Sequence, residues 1–405
     1  MDVQLIRRQF SSLNHDWILF ENAGGTQVPD QVMQRVANFY REANVQPGDF
    51  YPKAVQSGQT VQEAHRFIAE LLGAPSPHQI IFGPSATALN RLMSVSLQQR
   101  WQEGDEIIVT VSDHEANVTP WVFLEKFGLK VKFWPINPDS FDLETEQLKN
   151  LLTDRTVLVA FPHISNILGT ENPVAEIIRM VHDAGALVYV DGVASTPHRV
   201  IDVAEWDVDF FVFSTYKTFG PHGAALYVKE DILKQLASVN HFFIGNKSPV
   251  KFELGTPNLE GCAAILGIRD YFKAITGITG DSFPRKKIVA LMNNIHEYEI
   301  DLAWKLIDGL TRFRSVKIIG LSDRTQRERR VPVVAFTADS AAPEQIMKKL
   351  ADRKIALGSG HFYAYRLIRY LELLQKGGVV RASLVHYNTG EEIERFLMQL
   401  SRILD

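Results

Sequence analysis

Short runs of apolar residues alternate with longer amphipathic runs through the first half of the chain. The short runs are rich in β-branched and aromatic residues, which is typical of strands. They are QIIFG (79–83), DEIIVTV (105–111), KVKFWPI (130–136), TVLVAFPH (156–163), ALVYVD (186–191) and DFFVFS (209–214). The longer runs repeat apolar residues at helical spacing, as in SATALNRLMSVSLQQRW (85–101), NVTPWVFLEKFG (117–128) and VAEIIRMVHDAG (174–185). This alternation predicts an α/β fold whose mostly parallel sheet is covered by helices on both faces.

The pattern changes after residue 260. Two long helical runs, at 261–277 and 283–313, precede a mixture of strand-like and helical segments. The strand-like segments are VKIIG (316–320), VPVVAFTA (331–338), IALGSGHFY (355–363) and VVRASLVHY (379–387), and the helical ones are PEQIMKKLADR (343–353) and GEEIERFLMQLSRIL (390–404). We therefore expect a large domain at 16–275 and a smaller α+β domain formed by 1–15 and 276–405, joined by a long helix.

Composition narrows the classes of protein. A chain of 405 residues has room for two domains, and its net charge of −4 gives no strong attraction to nucleic acid or to an anionic membrane. The single cysteine, Cys262, excludes an intrachain disulfide and a cysteine-based metal cluster, and we predict no metal site. The first residues lack the apolar core of a signal peptide, and no run of about 18 apolar residues occurs, so we expect a cytoplasmic protein without a membrane partner.

Candidate chemistry lies at the predicted strand ends. Lys217 stands between two strand-like runs, and a lysine withdrawn from water loses its proton more readily and can form a Schiff base. Asp191 ends another such run, and a carboxylate near that lysine is what the ring nitrogen of pyridoxal phosphate requires. Ser85 and Ala86 open a helix directly after a strand, where backbone N–H groups bind phosphate. His114 follows a further strand and is placed to lie flat on the cofactor ring.

Each of these residues also has an ordinary structural explanation. A lysine between strands is often an edge residue whose charge reaches solvent. An aspartate after a strand is often a helix cap, and GPSAT is a common turn sequence. His114 fits a hydrogen-bonded core histidine equally well. Their order on successive strand ends favours a pyridoxal phosphate site over these separate explanations.

Six longer motifs follow one another along the chain. They are SDHEANVTPW (112–121), HISNILGTENP (163–173), VDGVASTPH (190–198), STYKTFGPHGAALYVKE (214–230), FELGTPN (252–258) and RASLVHYNTGEE (381–392). With them, the sequence from Asn22 to its end resembles the class V aminotransferase family of fold-type I pyridoxal phosphate enzymes, in particular its cysteine desulfurase-like branch. The resemblance implies a seven-stranded, mostly parallel sheet, a small-molecule amino-acid substrate, and a homodimer with active sites at the interface.

The resemblance also implies a role for individual residues. Lys217 falls on the lysine that forms the Schiff base, Asp191 on the partner of the ring nitrogen, and His114 on the residue that stacks on the ring; these three are the expected catalytic residues. The remaining expected cofactor contacts are Asn166 near the phenolic oxygen, Ser85, Ala86, Ser214 and Tyr216 around the phosphate, and Thr256 reaching the phosphate from the other subunit. The expected substrate contacts are Arg381, which would clamp the α-carboxylate, and Asn22, Ala23, Gly24, His361 and Tyr363.

Three departures from the desulfurase pattern bear on the reaction. The loop that carries the nucleophilic cysteine in desulfurases reads GSGHFYAY (358–365) here and places Tyr363 at the cysteine position. Ala194 replaces a glutamine expected to bond the phenolic oxygen, and Tyr216 replaces a frequent histidine. Cys262 lies at the start of a helix, where a small packing residue is its expected role.

Without a loop thiol, three reactions of an amino acid remain open. They are β-elimination, transamination and epimerisation, and in each Lys217 is the expected general base. We favour β-elimination of the C–S lyase type on a cysteine-derived substrate, because the leaving thiolate needs no enzyme thiol. True cysteine desulfuration is disfavoured. A non-catalytic pyridoxal phosphate protein is a further alternative, against which the presence of both Lys217 and Arg381 argues.

Overall fold

The computed structural model describes residues 1–280 and 282–404, which form two sheets of four or more strands, one two-stranded sheet and the helices around them. The helices are α1 Val3–Arg7, α2 Asp30–Glu42, α3 Pro52–Leu72, α4 Ala86–Gln98, α5 Thr119–Val122, α6 Thr145–Leu151, α7 Val174–Asp183, α8 Glu230–Gln235, α9 Leu259–Thr276, α10 Arg285–Leu310, α11 Pro343–Ala351, α12 Tyr365–Tyr370 and α13 Gly390–Leu404. The strands are β1 Ile18–Leu19, β2 Ile80–Gly83, β3 Glu106–Thr110, β4 Lys130–Trp134, β5 Thr156–Pro162, β6 Leu187–Asp191, β7 Phe210–Ser214, β8 Ala224–Val228, β9 Val316–Ile319, β10 Val333–Ala338, β11 Ile355–Ala356, β12 Gly358–Gly360 and β13 Val379–Ser383.

The large sheet has seven strands in the order β2–β8–β7–β6–β5–β3–β4. Strands β7, β6, β5, β3 and β4 pair in parallel, whereas β8 runs antiparallel to both of its neighbours. All six strands predicted in the first half of the chain are present in it, and the expected mostly parallel seven-stranded sheet is confirmed.

Both faces of this sheet are buried, which explains why its strands read as continuous apolar runs. In β5, Val159 and Phe161 contribute to one hydrophobic cluster, whereas Leu158 and Ala160 contribute to another. Since successive side chains of a strand point to opposite faces, the two clusters are the two sides of the sheet. Helix α4 packs beside β7 and β8 and belongs to the second cluster, and α7 packs beside β6 and belongs to the first.

The smaller unit is built on an antiparallel sheet in the order β12–β13–β10–β9. A third hydrophobic cluster lies between this sheet and helices α10, α11 and α13. Strand β1 comes from the start of the chain and pairs in parallel with β11, so an N-terminal segment joins this part of the fold. The mixture of helices and strands expected after residue 260 is therefore present, and the domain bounds stay a prediction.

One predicted helix is broken. The run 117–128 was expected to be continuous, but it forms the four-residue helix α5 with 3-10 turns at 115–117 and 123–127. Pro120 has no N–H to donate to the carbonyl of Ala116, and that carbonyl instead accepts a hydrogen bond of 2.8 Å from the Asn90 side chain. The predicted strand 355–363 is likewise interrupted and appears as β11 and β12.

The linking helix α10 joins the two units through a buried carboxylate. Oε2 of Glu299 lies 2.7 Å from Nδ1 of His198 in the large unit, and its Oε1 lies 3.6 Å from Nδ1 of His386 in the small one. Burial raises the pKa of Glu299, but the two histidines outweigh this and hold that pKa below its usual value. A buried carboxylate is costly unless it is paired, so Glu299 favours the arrangement in which both histidines lie beside it.

None of the helices in the described residues is long and apolar enough to cross a membrane.

Candidate active site

A pocket opens where the carboxyl ends of β3, β5, β6 and β7 meet the start of α4. Ligands of open α/β sheets bind at this edge. The residues that line the pocket are Ser85, Ala86, Thr87, Asp113, His114, Ala116, Pro162, Ile164, Asn166, Asp191, Val193, Ala194, Ser214, Tyr216 and Lys217. The structure thus brings together all eight residues for which the sequence predicted a cofactor contact from the same subunit.

Asp191 and Lys217 come from neighbouring parallel strands. Asp191 is the last residue of β6, and Lys217 ends the 3-10 turn that follows β7. Oδ1 of Asp191 accepts a 2.8 Å hydrogen bond from the Val193 N–H, which orients the carboxylate. A Cβ on the intervening Gly192 would lie 1.9 Å from the Phe211 ring, so only glycine allows the chain to turn this closely after β6.

Burial, and to a smaller extent neighbouring cations, lower the pKa of Lys217 and of His114. Burial lowers the pKa of Lys217 to about 8, and the Arg381 guanidinium acts in the same direction, while Asp191 opposes both. Burial lowers the pKa of His114 to about 3, and the charges of Lys217 and Arg381 contribute. His114 is therefore a neutral ring at neutral pH, and Lys217 has a substantial fraction of free amine just above it.

Two carboxyl groups share the buried end of the pocket. Burial raises the pKa of Asp191 to about 6, and burial together with the nearby Asp191 raises the pKa of Asp113 well above its usual range. Asp113 accepts hydrogen bonds from the N–H of His114 at 2.7 Å and from the Asn117 side chain at 2.7 Å. Burial and the nearby Asp191 therefore favour the neutral form of Asp113, whereas a pKa of about 6 leaves Asp191 mostly ionised at neutral pH.

The start of α4 forms one end of the pocket and suits an anion. Ser85 is the N-cap of this helix, and its hydroxyl accepts a 3.1 Å hydrogen bond from the Ala88 N–H. The N–H groups of the first turn have no partner inside a helix and, with the helix dipole, favour an anion. Gly83, just before this turn, is required because a Cβ there would lie 2.6 Å from Leu89.

Two buried polar atoms beside the pocket lack a hydrogen-bond partner among the described residues. They are Oδ1 of Asn166 and Nε of Arg381, on side chains that are 8% and 3% exposed. A buried polar atom without a hydrogen bond lowers the stability of the fold, unless a bound group supplies the missing partner. The start of α4, the side chains of Asp191 and Lys217, and the two unpaired atoms of Asn166 and Arg381 together fit pyridoxal phosphate and an amino acid that carries a carboxylate.

The loop between β12 and α12 covers the pocket from the small unit. The Tyr363 ring stacks on the His114 ring with centroids 5.2 Å apart, and the Tyr363 carbonyl accepts a 2.8 Å hydrogen bond from the Glu115 N–H. Tyr363 itself is largely exposed, and His361 contacts its ring edge-on. The tyrosine at the expected cysteine position therefore lies against a pocket residue.

Four other predicted residues lie outside the lining of this pocket. The Asn22 amide is engaged with Ser383, Asn388 and other protein groups, so it anchors the N-terminal loop to β13. Ala23 packs in a small cluster with Ala194, and Gly24 borders a separate shallow hollow. Thr256 is exposed and lines a different, apolar pocket with Cys262. Their contacts with substrate or with a second subunit stay predictions.

The sequence analysis missed two residues. Asp113 shares the buried end of the pocket with Asp191, and its place directly before His114 at the end of a strand was the available signal. Phe362 lies under Arg381, with the guanidinium carbon 3.9 Å from the ring centroid. No pattern in the sequence pairs these two residues, since they lie on different segments of the small unit.

Comparison with known proteins is consistent with this geometry. Residues 18–396 match the family model described as aminotransferase class-V. The aminotransferase-like protein FGM3 of Gibberella zeae is 36% identical over 99% of this chain and 98% of its own length. A cysteine desulfurase of Escherichia coli is 30% identical over 99% and 96%. The crystal structure of the Escherichia coli cysteine desulfurase CsdA matches with a TM-score of 0.85 and 26% identity, covering 100% of this chain and 98% of that one.

The fold and these matches define a pyridoxal phosphate enzyme of fold-type I. The chain belongs to the aminotransferase class-V family. The resemblance, the fold class, the cofactor and the enzyme class expected from the sequence are thereby confirmed. The reaction and the roles of individual residues are matters of proposal.

Proposed function

We propose that this enzyme catalyses β-elimination on a cysteine-derived amino acid, breaking the Cβ–S bond. The observation that carries the proposal is the position of the only thiol. Cys262 is 3% exposed, burial raises its pKa to about 12, and it lines the apolar pocket with Thr256 rather than the lysine pocket. A desulfurase needs an accessible thiolate to accept sulfur, whereas elimination releases the sulfur as a thiolate.

The pocket residues would hold the cofactor along its length. Ser85, Ala86 and Ser214 suit its phosphate, Asp191 suits its ring nitrogen, and neutral His114 suits its ring face. When bound, pyridoxal phosphate supplies an electron sink for the carbanion that develops at the substrate Cα. Asp191 holds a proton at the ring nitrogen, and its position at the buried end of the pocket keeps that ion pair away from water.

The chain's own groups then carry the reaction. The Arg381 guanidinium binds the substrate α-carboxylate, a task that suits its planar set of donors. The Lys217 amine removes the Cα proton, since its lowered pKa leaves part of it unprotonated at neutral pH. The electron pair of that bond forms Cα=Cβ while the Cβ–S pair leaves with sulfur. The released 2-aminoacrylate reacts with water to give pyruvate and ammonium.

Holoenzyme incubated with S-phenyl-L-cysteine tests this reaction, because its aromatic thiolate is a good leaving group. We expect thiophenol, pyruvate and ammonium in equal amounts, and the same rate from Cys262→Ser. Alanine with a persulfide on Cys262, and loss of activity in Cys262→Ser, would instead establish a desulfurase. A keto acid that retains sulfur, with an aminated cofactor, would establish the transamination suggested by the name of the Gibberella zeae relative.

We also propose a homodimer that completes the site. Phe242 and Phe243 are 97% and 71% exposed, and Leu254 beside the apolar pocket is 59% exposed. Apolar side chains clustered on one segment indicate an interface. Thr256 lies on this segment and outside the lysine pocket of its own chain, so it is placed to meet the phosphate of a second copy.

Sedimentation of the holoenzyme at micromolar concentration tests the dimer. We expect a dimer for the wild type and dissociation with weaker cofactor retention for Leu254→Glu, because a charge at an apolar interface is unfavourable. Met398→Glu, at an equally exposed position of α13, is the matched control and should remain dimeric. A wild-type monomer that retains its cofactor would contradict the proposal. The cytoplasmic location stays a prediction from the sequence.

A further inference from the structure

The pocket loop has an unfavourable backbone at two successive residues. Phe362 and Tyr363 have φ values of +47° and +60°, the left-handed region that residues with a Cβ rarely adopt. Such a conformation persists only where the surrounding structure holds it, and it is frequent at functional sites. The loop is therefore built to place these two rings.

The large unit holds this loop through consecutive carbonyl groups. The Asn166 side chain donates to the Phe362 carbonyl at 3.0 Å, and the Glu115 N–H donates to the Tyr363 carbonyl at 2.8 Å. The Arg366 guanidinium, one turn further on, lies 2.9 Å from the Glu115 carboxylate. These contacts tie the loop to residues beside the cofactor ring.

The Phe362 ring covers one face of the Arg381 guanidinium. The guanidinium carbon lies 3.9 Å from the ring centroid, and Nη1 donates to the Asn166 carbonyl at 3.0 Å. A Cβ on Gly358 would lie 2.5 Å from the Phe362 ring, so glycine at 358 leaves the room that the ring occupies. The Phe362 ring thus holds one face of the Arg381 guanidinium and the Asn166 carbonyl holds one edge, while its buried Nε has no hydrogen-bond partner among residues 1–280 and 282–404.

We propose that Phe362 is the residue that positions Arg381 and thereby selects substrates with an α-carboxylate. The Phe362 ring takes the place of water on one face of the buried Arg381 guanidinium. A ligand can then reach only the N–H donors in the plane of the guanidinium, and a planar carboxylate suits that arrangement. The proposal rests on the proposed function only in requiring that Arg381 binds the substrate carboxylate. It is independent of which bond the enzyme breaks afterwards.

Paired probes that differ only in the carboxylate test this role. S-methyl-L-cysteine and 2-(methylthio)ethylamine are titrated into the holoenzyme, and their dissociation constants are read from the visible absorbance of the cofactor. We expect Phe362→Leu to raise the dissociation constant of the amino acid about 5- to 30-fold, which corresponds to the loss of a desolvated cation–π contact. The dissociation constant of the amine should stay nearly unchanged. The expected change in turnover of S-phenyl-L-cysteine lies mainly in KM, not in kcat.

Three further variants separate positioning from a general structural role. Phe362→Tyr keeps the ring and should retain the wild-type preference, whereas Phe362→Met keeps an apolar side chain without the ring and should lose it. Tyr365→Leu removes an exposed aromatic side chain at the start of α12, directly after the loop, where it contacts His361, and should retain the preference. Phe362→Met thus remains decisive if Phe362→Leu fails to fold.

Equal weakening of both probes in Phe362→Met, or a preference that survives in it, would overturn this inference. In the second case the wild-type preference itself still supports a carboxylate clamp and hence the proposed function. A wild type without any preference for the amino acid would overturn both the clamp and the role of Phe362.

Discussion

Replacing Lys217 with alanine is expected to lower turnover of S-phenyl-L-cysteine by at least roughly 10²–10⁴-fold, the usual contribution of a positioned general base. The amine lies at the end of β7 with Asp191 and Arg381 close enough to affect its pKa, and the substitution also removes the Schiff-base attachment. Initial rates measure the first effect. Borohydride reduction followed by peptide mass analysis measures the second, and we expect the cofactor mass on Lys217 only.

Lys251 provides a matched control for this experiment. It is also buried, and burial lowers its pKa, but its amine donates to the Leu233 and Leu236 carbonyls at the end of α8. Lys251→Ala is expected to reduce stability without removing turnover, because it lies outside the pocket. Cofactor attached to Lys251 would refute the assignment of Lys217.

The pH dependence of the wild type follows from the same lysine. A base acts only when unprotonated, and the pKa of Lys217 lies near 8, so kcat should rise as the pH increases from 7 to 9. Lys217→Ala should lack this rise in its residual activity. A rise with pH that persists in the variant would assign the base to another group.

Much of the site could be predicted from the sequence because the fold converts chain order into proximity. Asp191 and Lys217 each follow a continuous apolar run, and consecutive parallel strands usually pair, as β6 and β7 do here. The start of α4 was recognisable from the turn at Gly83 and the cap at Ser85. These features depend on local patterns and on the handedness of the crossovers.

The contacts that the sequence did not reveal depend on tertiary packing. Phe362 meets Arg381 only because the loop adopts two left-handed residues and Gly358 leaves space for the ring. Asp113 comes close enough to Asp191 for its pKa to be affected because β3 and β6 flank β5 in the sheet. The helix predicted over 117–128 begins only at Thr119, with Pro120 in its first turn, and its second half forms a 3-10 turn, which the spacing of apolar residues does not distinguish from an α-helix.

Asp191→Asn is expected to lower kcat by on the order of 10²–10⁴-fold, because a neutral amide cannot hold a proton at the cofactor ring nitrogen. Asp113→Asn is the matched comparison at the neighbouring carboxyl group. Burial and the nearby Asp191 raise the pKa of Asp113 and so favour its neutral form. Because an amide resembles that form, the loss should be much smaller. Rates and cofactor spectra of the two holoenzymes, measured side by side, test this difference.

The decrease in activity at acid pH provides a second test of the roles of Asp191 and Asp113. Asp191 loses its charge as the pH falls through its pKa, which is about 6, and a cation held against it moves that pKa lower. The wild type should therefore lose activity below pH 6, and Asp113→Asn should keep that decrease, because burial and not Asp113 raises the pKa of Asp191. Asp191→Asn should lack the decrease, since no carboxylate remains there to titrate. Equal losses in the two variants would instead show that the pair, not Asp191 alone, holds the cofactor proton.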